Sequence, residues 1–139
     1  MADIHKAGLL YLKDGHILLC RKSRSTALLI LPGGKLEEGE TAQECLLREC
    51  REELGDVELI NLRHLGNYES PAAGYADKTV RIELFAGELR GAPVARAEIQ
   101  DLVWFGPEDD TALLAPSLRD TIFPDLRRRG IIAPSPVQK

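Results

Sequence analysis

The chain has 139 residues and carries 18 Lys plus Arg against 22 Asp plus Glu, so its formal net charge is −4. This length suits one domain, and the hydrophobic fraction of 44% and charged fraction of 29% are typical of a globular protein. The apolar run at residues 27–31 is too short to span a bilayer, and the first residues do not resemble a secretory signal. An acidic balance argues against holding duplex nucleic acid by charge alone. We therefore expect a cytoplasmic protein with no membrane segment and no stable nucleic-acid complex.

The three cysteines do not have the spacing of a disulfide framework or a zinc site. Cys20, Cys45 and Cys50 are odd in number and contain no C-x-x-C pair. We expect three buried, reduced thiols.

The first half of the chain predicts short strands followed by one helix. Strands at residues 7–12 and 17–20 flank Asp14-Gly15, a dipeptide that favours a hairpin turn. A third strand at residues 28–31 stops at a Pro-Gly-Gly sequence. Thr41 and Glu44 then form a capping box, which predicts a helix that ends near Leu54 with Gly55 in a left-handed conformation.

The second half alternates strands with loops and ends in a helix. Strands are predicted at residues 57–65, 80–89 and 99–105, with Trp104 of the last expected in the core. Residues 70–78 are predicted as a loop, and a helix is predicted within residues 113–129, starting after Pro116. The element order predicts an α/β protein of the α+β type, with a mixed sheet between helices. We expect a single domain over residues 1–132 and a flexible tail over 133–139.

A turn of about 100° per residue along the first helix predicts two faces. The expected apolar stripe contains Leu46, Leu47, Cys50 and Leu54. The expected opposite, acidic face contains Glu49, Glu52 and Glu53. Three converging carboxylates favour Mg²⁺ or Mn²⁺, which proteins commonly share with substrate phosphates. A solvated glutamate-rich helix is the alternative that these three residues alone leave open.

The spacing of this segment closely resembles the Nudix box, G-x5-E-x7-R-E-U-x-E-E-x-G-U, in which U is a bulky apolar residue. The seven fixed positions are filled by Gly34, Glu40, Arg48, Glu49, Glu52, Glu53 and Gly55. Cys50 and Asp56 depart from the pattern at two U positions, and we expect Val57 to take over the packing role of the second. The box covers about a sixth of the chain. The Leu-Pro-Gly-Gly-Lys sequence at residues 31–35, where the box begins, and the strand carrying Trp104-Phe105 also look like this family.

The resemblance implies a Nudix-like α/β/α sandwich that hydrolyses nucleoside diphosphates linked to another moiety X. By this analogy Glu49, Glu52 and Glu53 are metal ligands and one of them is the general base. Arg48 would orient the glutamates and Glu40 would support the loop. The Gly33 carbonyl would be a further ligand. The implied cofactor is Mg²⁺, with Mn²⁺ as a substitute, and the family also suggests a homodimer.

Besides the fixed positions of the box, five residues are candidates for the site. Relatives often supply an extra carboxylate near Glu98, whose alternative role is that of an exposed acid at a strand end. Arg21, Lys35 and Arg81 are candidate phosphate contacts, against ordinary surface roles. Tyr75, in a glycine-containing loop, is the candidate for stacking on a base.

Several functions are compatible with these residues. We expect a pyrophosphatase that converts nucleoside triphosphates, including deoxy forms, to monophosphate and pyrophosphate. Pro71 lies 15 residues beyond Asp56, as in members that cleave ADP-ribose, so ADP-ribose or another nucleotide sugar is the alternative substrate. A module of the same fold that senses nucleotides without turnover is an alternative of a different class. A basic RNA-processing module does not fit the net charge.

Overall fold

A computed structural model describes residues 3–22, 28–71 and 77–133 of the chain. The strands are β1 (Ile4–Leu10), β2 (Leu12–Lys13), β3 (His16–Lys22), β4 (Leu29–Ile30), β5 (Gly33–Lys35), β6 (Glu58–Pro71), β7 (Thr79–Arg90) and β8 (Ile99–Phe105). The α-helices are α1 (Ala42–Leu54) and α2 (Phe123–Arg128). A π-helical segment, Ser117–Ile122, leads directly into α2. Among these residues, no helix has the length and apolar character needed to cross a membrane.

The strands form two sheets. The first is mixed and has the order β5-β1-β7-β6, in which β1 and β7 are parallel and the other neighbours are antiparallel. In the second, β3 pairs antiparallel with β2, β4 and β8. The expected hairpin turn between β2 and β3 is confirmed, because Asp14 and Gly15 have φ values of 53° and 78°. Two consecutive positive φ values are what the favoured two-residue hairpin turn requires.

Both faces of the first sheet are covered, which confirms the predicted fold class. Along β1, Leu9 belongs to the core beneath α1, whereas Leu10 belongs to the core beneath the π-helical segment and α2. Along β7, Phe85 belongs to the core beneath α1, and Leu84 belongs to the core beneath the π-helical segment and α2. Because successive side chains of a strand point to opposite faces, the sheet lies between helical layers.

Helix α1 has the predicted boundaries. The Thr41 hydroxyl accepts from the Glu44 N–H at 3.1 Å, and the Glu44 carboxylate accepts from the Thr41 N–H at 2.9 Å. Gly55 follows the helix with a φ of 85°, as expected, but its ψ of −149° lies outside the left-handed helical region. Val57 is buried in the core beneath α1, so its expected packing role in place of Asp56 is confirmed.

The C-terminal helical region begins after Pro116, as predicted, but it is not one regular α-helix. The Phe123 N–H donates to the Leu118 carbonyl, five residues earlier, and the next residue is Pro124. Proline has no N–H to donate and its ring clashes with the carbonyl four residues earlier. The wider π turn before Pro124 accommodates this constraint.

Two further expectations need correction. Ser70 and Pro71 belong to β6 rather than to a loop, and Pro71 pairs with Thr79 at the end of the strand, where proline is tolerated. Trp104 is not a core residue, because 39% of its surface is exposed. It lies on β8, which pairs only with β3 among the described strands, and its ring packs edge-on against Tyr11 with ring centroids 5.4 Å apart. The predicted tail over 133–139 lies, beyond Ala133, outside the described residues.

The three cysteines are free and buried, as expected. Burial raises the pKa of the Cys45 thiol to about 11 and that of the Cys50 thiol to about 12. A thiol with such a pKa is protonated at neutral pH and is a poor nucleophile. These residues therefore serve packing.

Replacing Leu46 with alanine should strongly destabilise the fold. Leu46 is fully buried between α1 and the first sheet, so the substitution leaves a cavity that costs about 2–5 kcal/mol. Urea unfolding followed by circular dichroism measures this loss. Leu113→Ala is the control: 45% of Leu113 is exposed, and we expect a change of less than about 0.5 kcal/mol. Equal losses in the two variants would contradict the assignment of the core.

Candidate active site

Two glycines allow helix α1 to approach strand β5. Gly33 has a φ of 138°, and a Cβ at this position would lie 2.0 Å from the Ala7 carbonyl oxygen. A Cβ on Gly34 would lie 2.5–2.8 Å from the carboxylate atoms of Glu49. Neither position accepts a side chain without displacing its neighbours. The Gly33-Gly34 pair therefore brings the glutamates of α1 against the backbone of β5.

Glu53 is buried, which corrects the predicted helix faces. Only 6% of its surface is exposed, and its Oε1 accepts from the Gly33 N–H at 3.1 Å. Glu53 follows Leu46 by seven residues, which is almost two full turns, so it lies about 20° from the apolar stripe rather than opposite it. Burial raises the pKa of Glu53 to about 7, although the hydrogen bond from Gly33 opposes this shift.

The three glutamates differ in environment. The Glu52 side chain is 55% exposed, whereas the Glu49 side chain is 17% exposed. Burial raises the pKa of Glu49 against the opposing effect of Arg48. Glu53 and Glu49 therefore line the inner wall of the site, and Glu52 lies at its rim.

Arg48 connects the loop before α1 to the acidic face. Its Nε and Nη2 donate to both oxygens of Glu40, at 2.7 and 3.0 Å. Its Nη1 donates to Glu49 at 3.0 Å, and its Nη2 also donates to the Lys35 carbonyl at 3.2 Å. Glu40 accepts in addition from the Glu37 N–H at 2.9 Å. The bonds from Arg48, followed by the bond from Glu37, lower the pKa of Glu40 to about 2. This network fixes the loop and the orientation of Glu49.

The segment before β8 is attached to the end of α1. The Val94 N–H donates to the Leu54 carbonyl at 3.0 Å, and the Arg96 N–H donates to the Glu53 carbonyl at 2.9 Å. These bonds satisfy carbonyls that a helix end leaves unpaired. Ala97 then adopts a φ of 55°, which is unusual for a residue with a Cβ, and Glu98 follows it. Glu98 is thereby brought to the acidic residues of α1, with 70% of its side chain exposed and its Oε2 3.8 Å from the Lys22 ammonium.

These elements surround a cleft of about 280 Å³, which we call the acidic cleft. Its acidic residues are Glu49, Glu52, Glu53 and Glu98. Its basic residues are Lys6, Lys22 and Lys35, and Gly34 and Ala97 complete the lining. The carboxylates exceed the ammonium groups by one, and the two kinds of charge line the same cleft.

The donor chemistry of the acidic cleft fits a hard divalent cation. Carboxylate oxygens are the ligands that Mg²⁺ and Mn²⁺ prefer, and burial leaves Glu49 and Glu53 with raised pKa values that a nearby cation would oppose. In the described part of the chain, no three Asp, Glu, His or Cys side chains are already arranged as a metal site. Metal binding would therefore require the glutamates to turn from the contacts they make here.

A second, mainly apolar cavity of about 80 Å³, open to solvent on one side, adjoins the acidic cleft, and we call it the apolar cavity. Its side chains come from β1, β3, β4, β7, the π-helical segment and the residue after β4, and they include Leu31, Ile82, Leu118 and Ile122. The apolar cavity and the acidic cleft share Lys6, Lys22 and Gly34. An apolar space that opens into a charged cleft suits a ligand with a flat apolar part and an anionic chain.

The other sequence candidates have different outcomes. Lys35 lines the acidic cleft. Arg21 donates instead to Asp101 at 2.6 Å, and it is absent from the described residues that line the cleft. Arg81 lies on the opposite face of β7 from Ile82, so it points away from the apolar cavity. Gly33 lines the apolar cavity rather than the acidic cleft, and Tyr75 lies outside the described residues.

Two basic residues of the site, Lys6 and Lys22, were not predicted from the sequence. Lys22 directly follows Arg21, and the alternation of β3 turns it toward the site instead of Arg21. Lys6 interrupts an otherwise apolar set of alternate residues on β1, with Gly8 and Leu10 following on the same face. A lysine at an inward position of a buried strand was the available signal.

Two substitutions at Glu53 should show separately how its hydrogen bond and its charge affect the stability of the fold. Glu53→Gln keeps an oxygen that accepts from Gly33 and removes a charge that burial disfavours, so we expect stability to be unchanged or higher. Glu53→Ala leaves the Gly33 N–H without its acceptor and should cost about 1–3 kcal/mol. Urea unfolding in EDTA measures both. Glu52→Ala, at an exposed position, is the matched control and should change stability by less than about 0.5 kcal/mol. A large loss in Glu53→Gln would contradict this account.

Arg48→Lys should weaken the loop and the site together. Lysine cannot donate to both oxygens of Glu40 while also reaching Glu49, so we expect a loss of about 1–2 kcal/mol of stability. Mn²⁺ binding, measured by electron paramagnetic resonance, should weaken by about tenfold because Glu49 loses its orientation. Arg51→Lys, on the same helix and exposed, is the control. Unchanged stability and unchanged Mn²⁺ affinity would show that the network is dispensable.

Comparisons with known proteins agree with this geometry. The family model described as "NUDIX domain" matches residues 5–126. The chain is 34% identical over 98 residues to the "NAD-capped RNA hydrolase NudC" of Pseudomonas putida, covering 70% of this chain and 34% of that protein. It is 36% identical over 97 residues to the "ADP-ribose pyrophosphatase" of Methanocaldococcus jannaschii, covering 65% of this chain and 57% of that protein. The chain thus spans about a third of the length of the NudC relatives it matches.

Solved structures give the same fold over nearly the whole chain. The E. coli ORF135 protein superposes with a TM-score of 0.72 at 28% identity, covering 93% of this chain and 94% of that one. A NUDIX hydrolase from Nitrosomonas europaea superposes with a TM-score of 0.76 at 23% identity, covering 98% and 95%, and shows the fold alone. The match of the family model over most of the chain, together with the box of residues 34–56, shows that the chain belongs to the NUDIX family.

Proposed function

We propose that the protein hydrolyses the pyrophosphate linkage of nucleoside diphosphates linked to X, with nucleoside triphosphates as its principal substrates. The observation that carries this proposal is the junction between the apolar cavity and the acidic cleft. The base of a nucleotide can enter the apolar cavity while its phosphates extend among the glutamates and lysines of the acidic cleft. The relatives named as hydrolases of NAD-capped RNA and of ADP-ribose support this class of reaction.

The charges of the acidic cleft suit hydrolysis at phosphorus. A divalent cation, held by Glu49, Glu52, Glu53 and Glu98, would supply neutralisation of phosphoryl charge and polarisation of the phosphoryl oxygens. The three lysines provide positive charge for the remaining phosphate oxygens. The oxygen of water bonds to one phosphorus while the bond from that phosphorus to the bridging oxygen breaks. We infer that one of the box glutamates takes the proton that the water releases.

The box residues divide into those that bind and those that hold them in position. Glu49 and Glu53 face the cleft from its inner wall, and Glu52 from its rim. Arg48 and Glu40 act as positioning residues, because their contacts are with the loop and with Glu49. The Gly33 N–H serves the same purpose for Glu53.

The lining of the acidic cleft favours a further phosphate as the leaving group X. Every described residue around this cleft is charged, glycine or alanine. Such a lining offers cations to a pyrophosphate but no aromatic or amide side chain to a second sugar or base. We therefore infer conversion of triphosphates to monophosphate and pyrophosphate. ADP-ribose is the second candidate, supported by the pyrophosphatase relative that carries this name.

Product analysis tests the proposed function. The protein is incubated with Mg²⁺ and a panel of ribo- and deoxyribonucleoside triphosphates, oxidised dGTP, ADP-ribose and dinucleoside polyphosphates, and the products are separated by chromatography. We expect monophosphate and pyrophosphate from at least one triphosphate, with loss of turnover in EDTA and recovery with Mg²⁺ or Mn²⁺. Glu53→Gln should lower turnover by about 100-fold or more.

The other outcomes of this experiment are decisive. AMP and ribose phosphate from ADP-ribose, without turnover of triphosphates, would replace the triphosphate proposal with the second candidate. Turnover that persists in EDTA would contradict the role of the metal. Binding of a nucleotide without turnover of any substrate would instead support a sensing module.

A further inference from the structure

Lys6 stands at the junction of the two cavities. It lies on β1 and lines both the acidic cleft and the apolar cavity. It is paired in register with Lys35 on the neighbouring strand β5. On the other side it is paired with Ile82 of β7, a residue of the apolar cavity. A nucleotide with its base in the apolar cavity and its phosphates in the acidic cleft has one phosphate at this junction, the one attached to the sugar.

The surroundings of Lys6 are unfavourable for a lysine in the absence of a ligand. Lys35 is directly opposite on the neighbouring strand, and like charges at such a position are destabilising. Burial, followed by the positive charges of Lys22 and Lys35, lowers the pKa of Lys6. Within the described part of the chain, the Lys6 ammonium makes no hydrogen bond or ion pair, whereas Lys22 lies near Glu98.

An anion bound between these lysines would relieve this repulsion. Lys22 also lines both cavities, but its ammonium lies 3.8 Å from the Glu98 carboxylate. Lys35 lines only the acidic cleft and is exposed. Lys6 is thus the half-buried cation at the junction whose donors are not already used by a carboxylate of the described residues.

We propose that Lys6 binds the α-phosphate of the nucleotide, with its ammonium donating to a non-bridging phosphate oxygen. This proposal rests on the proposed function, from which it takes the orientation of the nucleotide. It adds a substrate-contacting residue that lies outside the box, on β1 rather than on β5 or α1.

A structural role for Lys6 gives opposite expectations. Glu49 and Glu53 lie close enough for their charges to favour protonated Lys6, so the lysine could serve only to balance them. In that case Lys6→Met would lower the melting temperature of the protein in EDTA and would leave the contribution of a phosphate group to binding unchanged.

The test compares Lys6→Met, Lys6→Arg and the wild-type protein, with Lys13→Met as a control at an exposed position far from the cleft. Isothermal titration calorimetry in EDTA measures the affinities of AMP, GMP, CMP and UMP and of the four matching nucleosides. We expect the wild-type protein to bind at least one monophosphate more tightly than its nucleoside. Lys6→Met should reduce this preference by about tenfold, the magnitude of one charge-assisted hydrogen bond. Lys6→Arg should retain most of it, and Lys13→Met all of it.

Melting temperatures in EDTA complete the design. We expect Lys6→Met to be at least as stable as the wild-type protein, because it loses an unpaired, half-buried charge. An unchanged preference for monophosphate over nucleoside in Lys6→Met, or a wild-type protein without such a preference, overturns the proposal. A lower melting temperature with an unchanged preference identifies the structural role. Because binding is measured in EDTA, this outcome is independent of whether any triphosphate is hydrolysed.

Discussion

The hydrogen bond from the Gly33 N–H to the buried Glu53 carboxylate is the contact on which the site depends. It joins β5 to the inner face of α1 at a point where an acid would otherwise be desolvated without compensation. It forms only because Gly33 has no side chain, since a Cβ there would collide with the Ala7 carbonyl. One interaction therefore ties the rotation of α1, the backbone of β5 and the position of an acid to one another.

The core and the site are built on the same helix, so one cannot be changed freely without the other. Leu46, Cys50 and Leu54 fix α1 against the first sheet, and this packing sets the direction in which the glutamates face. The backbone bonds from Val94 and Arg96 to the end of α1 then bring Glu98 to the same cleft. The position of Glu98 is thus a consequence of how the helix ends, even though Glu98 follows Leu54 by 44 positions in the chain.

The sequence predicted what depends on local chemistry, and missed what depends on tertiary contacts. The capping box at Thr41, the Asp14-Gly15 turn and the start of the last helical region after Pro116 are local signals, and each is confirmed. The burial of Glu53 could have been predicted from the helical period, because Glu53 follows the buried Leu46 by seven residues, which is almost two full turns. It was missed because an acid is not expected on a buried face. Lys6 and Lys22 could be selected only once the sheets showed which faces meet at the cleft.

The charges of the acidic cleft repel one another when no ligand is bound. The same charges suit a phosphorylated ligand. Carboxylates gathered on one side repel each other, and so do the lysines that face them. A divalent cation relieves the first repulsion and a phosphate chain relieves the second. Neither ligand satisfies both sets of charges, because the cation alone leaves the lysines unpaired and the phosphate alone meets the glutamates. The cleft therefore favours the cation and the phosphate chain bound together, which is the form in which nucleotides commonly present both charges.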